Sequence, residues 1–165
     1  MGVKAVKRLV MSRIRAVFTP SPFHAGFRAK FGCSDHMFRL NAMLHSSHRR
    51  QGARHGDHRS VVFIDFQKAF DKVWHRVLLE KMHVAGVSGR SLRWVAAFLA
   101  DRGMRVVHQS SASDYHPTRA GVPQGAILSP DLFLTFIDDL PSALPRPPPS
   151  LALRCAIFLL RTMLP

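Results

Sequence analysis

Ser-Pro-Asp-Leu-Phe-Leu-Thr-Phe-Ile, residues 129–137, reads as a helix with an apolar face that calls for a core to cover it. Ser129 suits the N-cap and Pro130 suits the first turn, where its missing N–H costs nothing. Leu132, Phe133, Phe136, Ile137 and Leu140 form the apolar face. Pro141 is expected to end the helix, and residues 141–150 follow as a proline-rich linker. Just upstream, Gly121 to Gly125 reads as a loop resting on this rigid base.

Other elements follow from the same patterns. Val3, Val6, Val10, Ile14 and Val17 recur at helical steps among Lys4, Lys7, Arg8, Arg13 and Arg15. That is a basic amphipathic helix, closed near Pro20 and Pro22. A second helix is expected from Ser34 or Asp35, as cap, to about His45. Val61 to Ile64 reads as a buried strand ending at Asp65. Ala69 to His83 reads as a helix stopped by Gly86, and Ser91 to Ala100 as another. Met104 to His108 and Tyr115 to Ala120 read as a hairpin turning across Ser-Ser-Ala-Ser. The polar stretch from His45 to Ser60 reads as a loop. Its pairs His45/His48 and His55/His58 suggest zinc, but no cysteine or structured flank supports a site.

Charge narrows the partners. Lys and Arg number 24 against 10 Asp and Glu, for a formal net charge of +14. Residues 1–60 hold 12 of the cations and 2 acids, whereas residues 61–140 hold 9 and 8. A basic flank beside a carboxylate-bearing centre suits an enzyme that grips phosphates and holds cations. The acid-free opening, up to Asp35, also resembles a mitochondrial transit peptide but is not Ser-rich as such peptides are. Two cysteines, Cys33 and Cys155, exclude a disulfide scaffold. The most apolar stretch, Leu151 to Leu164, is 14 residues long and carries Arg154 and Arg161, so no membrane span is expected.

Two segments carry chemistry. Val-Val-Phe-Ile-Asp-Phe-Gln-Lys-Ala-Phe-Asp-Lys-Val, residues 61–73, puts Asp65 at a strand end, where a carboxylate can hold magnesium. The carbonyl of Phe66 is a further oxygen, Phe70 can turn back over the site, and Asp71 reads as a helix-start or surface acid. Ala-Gly-Val-Pro-Gln-Gly-Ala-Ile-Leu-Ser-Pro-Asp-Leu-Phe, residues 120–133, offers glycines for close approach and Gln124 as donor and acceptor.

Together these segments resemble the first two catalytic motifs of the reverse transcriptases of non-LTR (LINE-type) retrotransposons. Gly26-Phe27-Arg28 with Ser34-Asp35 resembles a segment of the family's fingers, and the likeness covers roughly residues 20–141. It implies an α+β fold: a partial right-hand polymerase, with fingers and an incomplete palm. Residues 1–60 would be the basic helix and fingers portion, 61–141 part of the palm, and 142–165 a non-native tail. The implied chemistry is template-directed nucleotidyl transfer with two Mg2+ ions, using an RNA template, a DNA primer and deoxynucleotide triphosphates; its place is unspecified beyond intracellular, the nucleus if the chain is functional. By the same resemblance Asp65 and the Phe66 carbonyl would hold Mg2+. Phe70 would sit under the incoming sugar and exclude a 2′-hydroxyl. Gln124, shaped by Pro123 and Gly125, would contact the nucleotide, and Arg28 and Lys30 would lie near phosphates.

The family also has an aromatic-x-Asp-Asp hairpin. Phe136-Ile137-Asp138-Asp139 is set aside for that role, because it lies 14 residues past Gln124 at a helix end. Leu159 to Leu164 can be written CTT TTG CGG ACG ATG CTN, which reads two bases later as Phe-Ala-Asp-Asp-Ala. A frameshift between Pro141 and Phe158 is therefore expected. With the Asp-Asp pair and the thumb missing, this chain is expected to be inactive alone. The alternative is a non-catalytic basic relic that binds nucleic acid.

Overall fold

A computed structural model describes residues 2–22, 24, 26–28, 30–46 and 63–143. They fall into two compact units, Met1–Pro20 with Gln67–Ile137, and Ser21–Phe66 with Asp138–Pro165.

The first unit is helical with small antiparallel ladders. Its helices are α1 (Gly2–Val17), α3 (His75–Val84), α4 (Gly89–Leu99) and α5 (Ser129–Ile137). α3 packs on α4 and α5, and α1 packs on α4. Val10 and Ile14 of the α1 stripe are buried, with Leu78, Met82, Val95, Leu99, Leu128 and Leu132 from the other elements. Each such side chain contributes about 1.5–3 kcal/mol through lost apolar hydration.

α5 goes further inside than its apolar stripe suggests. Asp131 and Thr135 are buried with Leu132, Phe133, Leu134 and Ile137. Arg15 makes this possible for the acid: its Nε lies 2.9 Å and its Nη2 3.1 Å from the two Asp131 oxygens. Thr135 donates its hydroxyl to the Asp131 carbonyl at 2.9 Å. Lys81, in the last turn of α3, donates to the Phe136 carbonyl, one of the acceptors a helix end leaves open.

Several expected boundaries move. The helix expected from Ala69 starts at His75, because residues 67–72 form turns. It stops as expected: the Gly86 N–H bonds the His83 carbonyl and the Val87 N–H the Met82 carbonyl, with Gly86 at φ +93°. α4 begins two residues before Ser91. Ser129 is the first helical residue and not the N-cap, since the first helical bond runs from Leu132 N–H to the Leu128 carbonyl. α5 ends at Ile137; Leu140 and Pro141 belong to a separate turn, α6 (Leu140–Ala143), which the proline starts well rather than ends.

The expected hairpin forms in two pieces. β1 (Arg102–Met104) pairs β4 (His116–Thr118), and β2 (Val107–His108) pairs β3 (Ser111–Ala112). The turn is Gln109-Ser110, one step earlier than expected, and Ser113 interrupts the ladder by donating to Val106 from its N–H and accepting the Val106 N–H on its hydroxyl.

The second unit contains α2 (Cys33–Ser46) and α6. Asp35 does not cap α2 from outside; from the third helical position it accepts the Gly32 N–H at 2.7 Å, the returning half of a capping box. The strand expected at 61–64 is not seen: Phe63 and Ile64 are irregular and 63% and 53% exposed, while Val61 and Val62 lie outside the described residues. A strand needs a laddered neighbour for its N–H and C=O groups, and no ladder among the described residues includes this segment. The histidine-rich loop 47–60 and the tail from 144 also lie outside the described residues.

Asp138 ties the start of this unit to α6 by accepting the Ser21 N–H at 2.7 Å. The same oxygen is 3.6 Å from Nε2 of His24, whose ring is buried and makes no hydrogen bond among the described residues. Burial holds the His24 pKa below its ordinary value of 6.5, against the opposing pull of Asp138. Burial and Arg39 do the same for His36. Both histidines then bind protons more readily in the unfolded chain. Their contribution to stability is complete above pH 6.5 and is lost as the pH falls from there toward the lowered folded-state values. Urea unfolding below pH 6.5 should show stability falling by at most about 1.4 kcal/mol per pH unit for each histidine, and His24→Gln should flatten the slope. An unchanged slope in that variant would contradict the assignment.

Candidate functional site

The turn 67–72 and the loop 121–125 are held together by backbone bonds in the first unit. The Gly121 N–H donates to the Val73 carbonyl and the Val122 N–H to the Phe70 carbonyl, each at 2.8 Å. In a continuous helix the Phe70 carbonyl would take the Trp74 N–H instead. The distant loop thus competes with local helix, which explains why α3 starts late.

Side chains add to the junction. Nε2 of His75 is 2.7 Å from the Gly121 carbonyl, which can only accept, so that nitrogen carries the proton. Nε2 of Gln124 reaches Oδ1 of Asp71 at 3.4 Å. The Ser129 hydroxyl donates to the Pro123 carbonyl, fastening the loop to α5. The Phe70 ring stacks on Phe133 of α5, with centroids 4.9 Å apart. Gly121 has φ +92°, and a Cβ there would lie 2.9 Å from both Cα and the carbonyl oxygen of Asp71. Only glycine admits that approach.

Phe70, Pro123, Gln124 and Gly125 are therefore brought together in one unit, with Gln124 and Gly125 exposed. Asp65 and Phe66 belong to the second unit, and the Asp65 side chain is exposed. Arg28, also in the second unit, donates from Nη1 to the His24 carbonyl at 2.9 Å and lies over the Phe31 ring. Lys30 is exposed on a left-handed backbone, at φ 67°.

A cation pair needs several carboxylates converging on shared oxygens. Among the described residues no three His, Cys, Asp or Glu side chains form such a group. Asp65 offers one carboxylate, and Asp71 is engaged by Gln124. Among the described residues this donor set does not complete a two-cation centre.

The sequence reading passed over His75 and the Ser129 hydroxyl as supports of the loop, and over the Arg15–Asp131 pair. A histidine two residues past the first motif was a visible signal. The partner of Arg15, 116 residues away, was not.

The family profile for reverse transcriptase (RNA-dependent DNA polymerase) matches residues 1–158. The chain is 33% identical over 147 residues to an RNA-directed DNA polymerase from mobile element jockey of Drosophila melanogaster, which covers 86% of this chain and 15% of that protein. It is 34% identical over 145 residues to a probable RNA-directed DNA polymerase from transposon BS of the same species, again 15% of that protein. A Pol polyprotein of type-1 retrotransposable element R2 from Popillia japonica is 32% identical over 81 residues, 49% of this chain and 13% of that one. The chain thus spans about 15% of the length of the first two relatives. No solved structure matches it. With the profile covering nearly all of its length, the chain belongs to the reverse transcriptase family, and its relatives come from non-LTR retrotransposons.

Proposed function

We propose that this chain is the part of a non-LTR reverse transcriptase that receives the incoming deoxynucleotide. The observation that carries this reading is the junction of the two motifs, which sets the exposed Gln124 beside Phe70 and Asp71. Gln124 supplies an amide donor and acceptor to the nucleotide, and the Phe70 ring, braced from behind by Phe133, limits space under the sugar. Residues 1–60 are the fingers portion and 61–141 part of the palm of a right-hand polymerase. Asp65 and the Phe66 carbonyl are this chain's candidate ligands for a magnesium ion. The basic first third, with Arg28 and Lys30, faces the phosphates of an RNA template and DNA primer. The reaction served is RNA-templated nucleotidyl transfer.

Retention of labelled dGTP by the full chain, with an RNA–DNA template–primer and magnesium chloride, tests the reading. Gln124→Ala should weaken retention about tenfold, the effect of one hydrogen bond to a charged ligand. Phe70→Ala should reduce the preference for dGTP over GTP. Equal retention by wild type and both variants would exclude the assignment.

A further inference from the structure

We propose that His75 is a positioning residue: its Nε2–H clamps the Gly121 carbonyl and thereby holds the Gln124 loop against Phe70. The inference rests on the nucleotide-binding reading only for its functional consequence.

Three neighbouring bonds meet at Gly121 and Val122. Two are donated by their own N–H groups to Val73 and Phe70. The third, from His75, satisfies the Gly121 carbonyl at 2.7 Å. His75 is the first residue of α3, two residues past Val73, which with Phe70 supplies the other two acceptors. One short stretch, Phe70 to His75, therefore grips both the N–H and the C=O of Gly121. The Gly121–Val122 peptide unit, its C=O held by His75 and its N–H by Phe70, cannot rotate without breaking a bond. On the far side, Ser129 holds the Pro123 carbonyl. Val122, between the two anchored carbonyls, is buried, while Gln124 and Gly125, just past the second, are exposed.

The acceptor fixes the chemistry of the clamp. A carbonyl cannot donate, so His75 must present Nε2–H. The neutral ring then carries its lone pair on Nδ1, and the imidazolium donates from Nε2 equally well. The clamp does not depend on the charge of the ring. It depends on a donor at the reach of Nε2, which Gln supplies and Phe does not.

The test uses the full chain, labelled with 15N. Ring-nitrogen NMR should show neutral His75 protonated at Nε2. In His75→Phe, amide hydrogen exchange at Gly121 and Val122 should accelerate about tenfold or more, with exchange in α1 unchanged. In His75→Gln, protection should return, and dGTP retention should follow the same order: wild type and His75→Gln alike, His75→Phe about tenfold weaker. A proton on Nδ1, unchanged exchange in His75→Phe, or equal loss in both variants would overturn the clamp. If wild type retains no dGTP while the exchange pattern holds, the clamp stands and the nucleotide-binding reading fails.

Discussion

Gly121→Ala should be among the most damaging single-atom additions in this chain. At φ +92° an alanine is strained, and its Cβ would meet Asp71 backbone atoms 2.9 Å away. Backbone cannot swing aside as a flexible side chain can. A left-handed alanine costs about 1–3 kcal/mol, and forcing the packed segments apart adds about 1–3 kcal/mol. The expected loss is about 3 kcal/mol, read as a lower urea midpoint. The same change should weaken dGTP retention, because it parts the two motif segments. Gly86→Ala is the informative comparison. Its Cβ would meet only a methyl group of the Val17 side chain, so its effect should be the smaller one and should leave nucleotide retention intact. Equal urea midpoints for wild type and Gly121→Ala would mean that the close approach of the two segments is not as described.

Arg15→Ala should cost about 2 kcal/mol. Asp131 is buried, at 6% exposure, within a strongly apolar helix. Removing the partner of a buried charge costs about 3–5 kcal/mol, but the Arg15 side chain is 53% exposed and water takes over part of its work, which lowers the figure. Replacing both partners should recover stability. In Arg15→Ala with Asp131→Leu no unpaired charge remains, so the double variant should unfold at higher urea than Arg15→Ala alone. If the double variant is the weaker of the two, the pair is not what allows α5 to be buried.

The helices were legible in the sequence because their signals are local. The stripe from Val6 to Val17, the stop at Gly86 and the apolar positions of α5 each lie within a few turns. The misplaced elements depend on distant partners. The Phe70 carbonyl gives up a helical bond to Val122, so helix propensity around Ala69 says nothing about where α3 begins. Phe63 and Ile64 have strand-forming side chains, but a strand exists only with a neighbour. Ser129 has the chemistry of an N-cap, yet its hydroxyl is drawn to Pro123. The two motifs were legible as residue types and spacing. Their junction through Gly121 and Val122 was not, because backbone hydrogen bonds leave little trace in side-chain identity.

The most direct test of the central claim is a titration of the 15N-labelled chain with dGTP and magnesium chloride, read residue by residue. Shifts should concentrate at residues 70–75 and 121–125 and saturate with a single affinity that Gln124→Ala weakens. Shifts confined to the basic α1 helix, or none at residues 121–125 at saturating nucleotide, would contradict it.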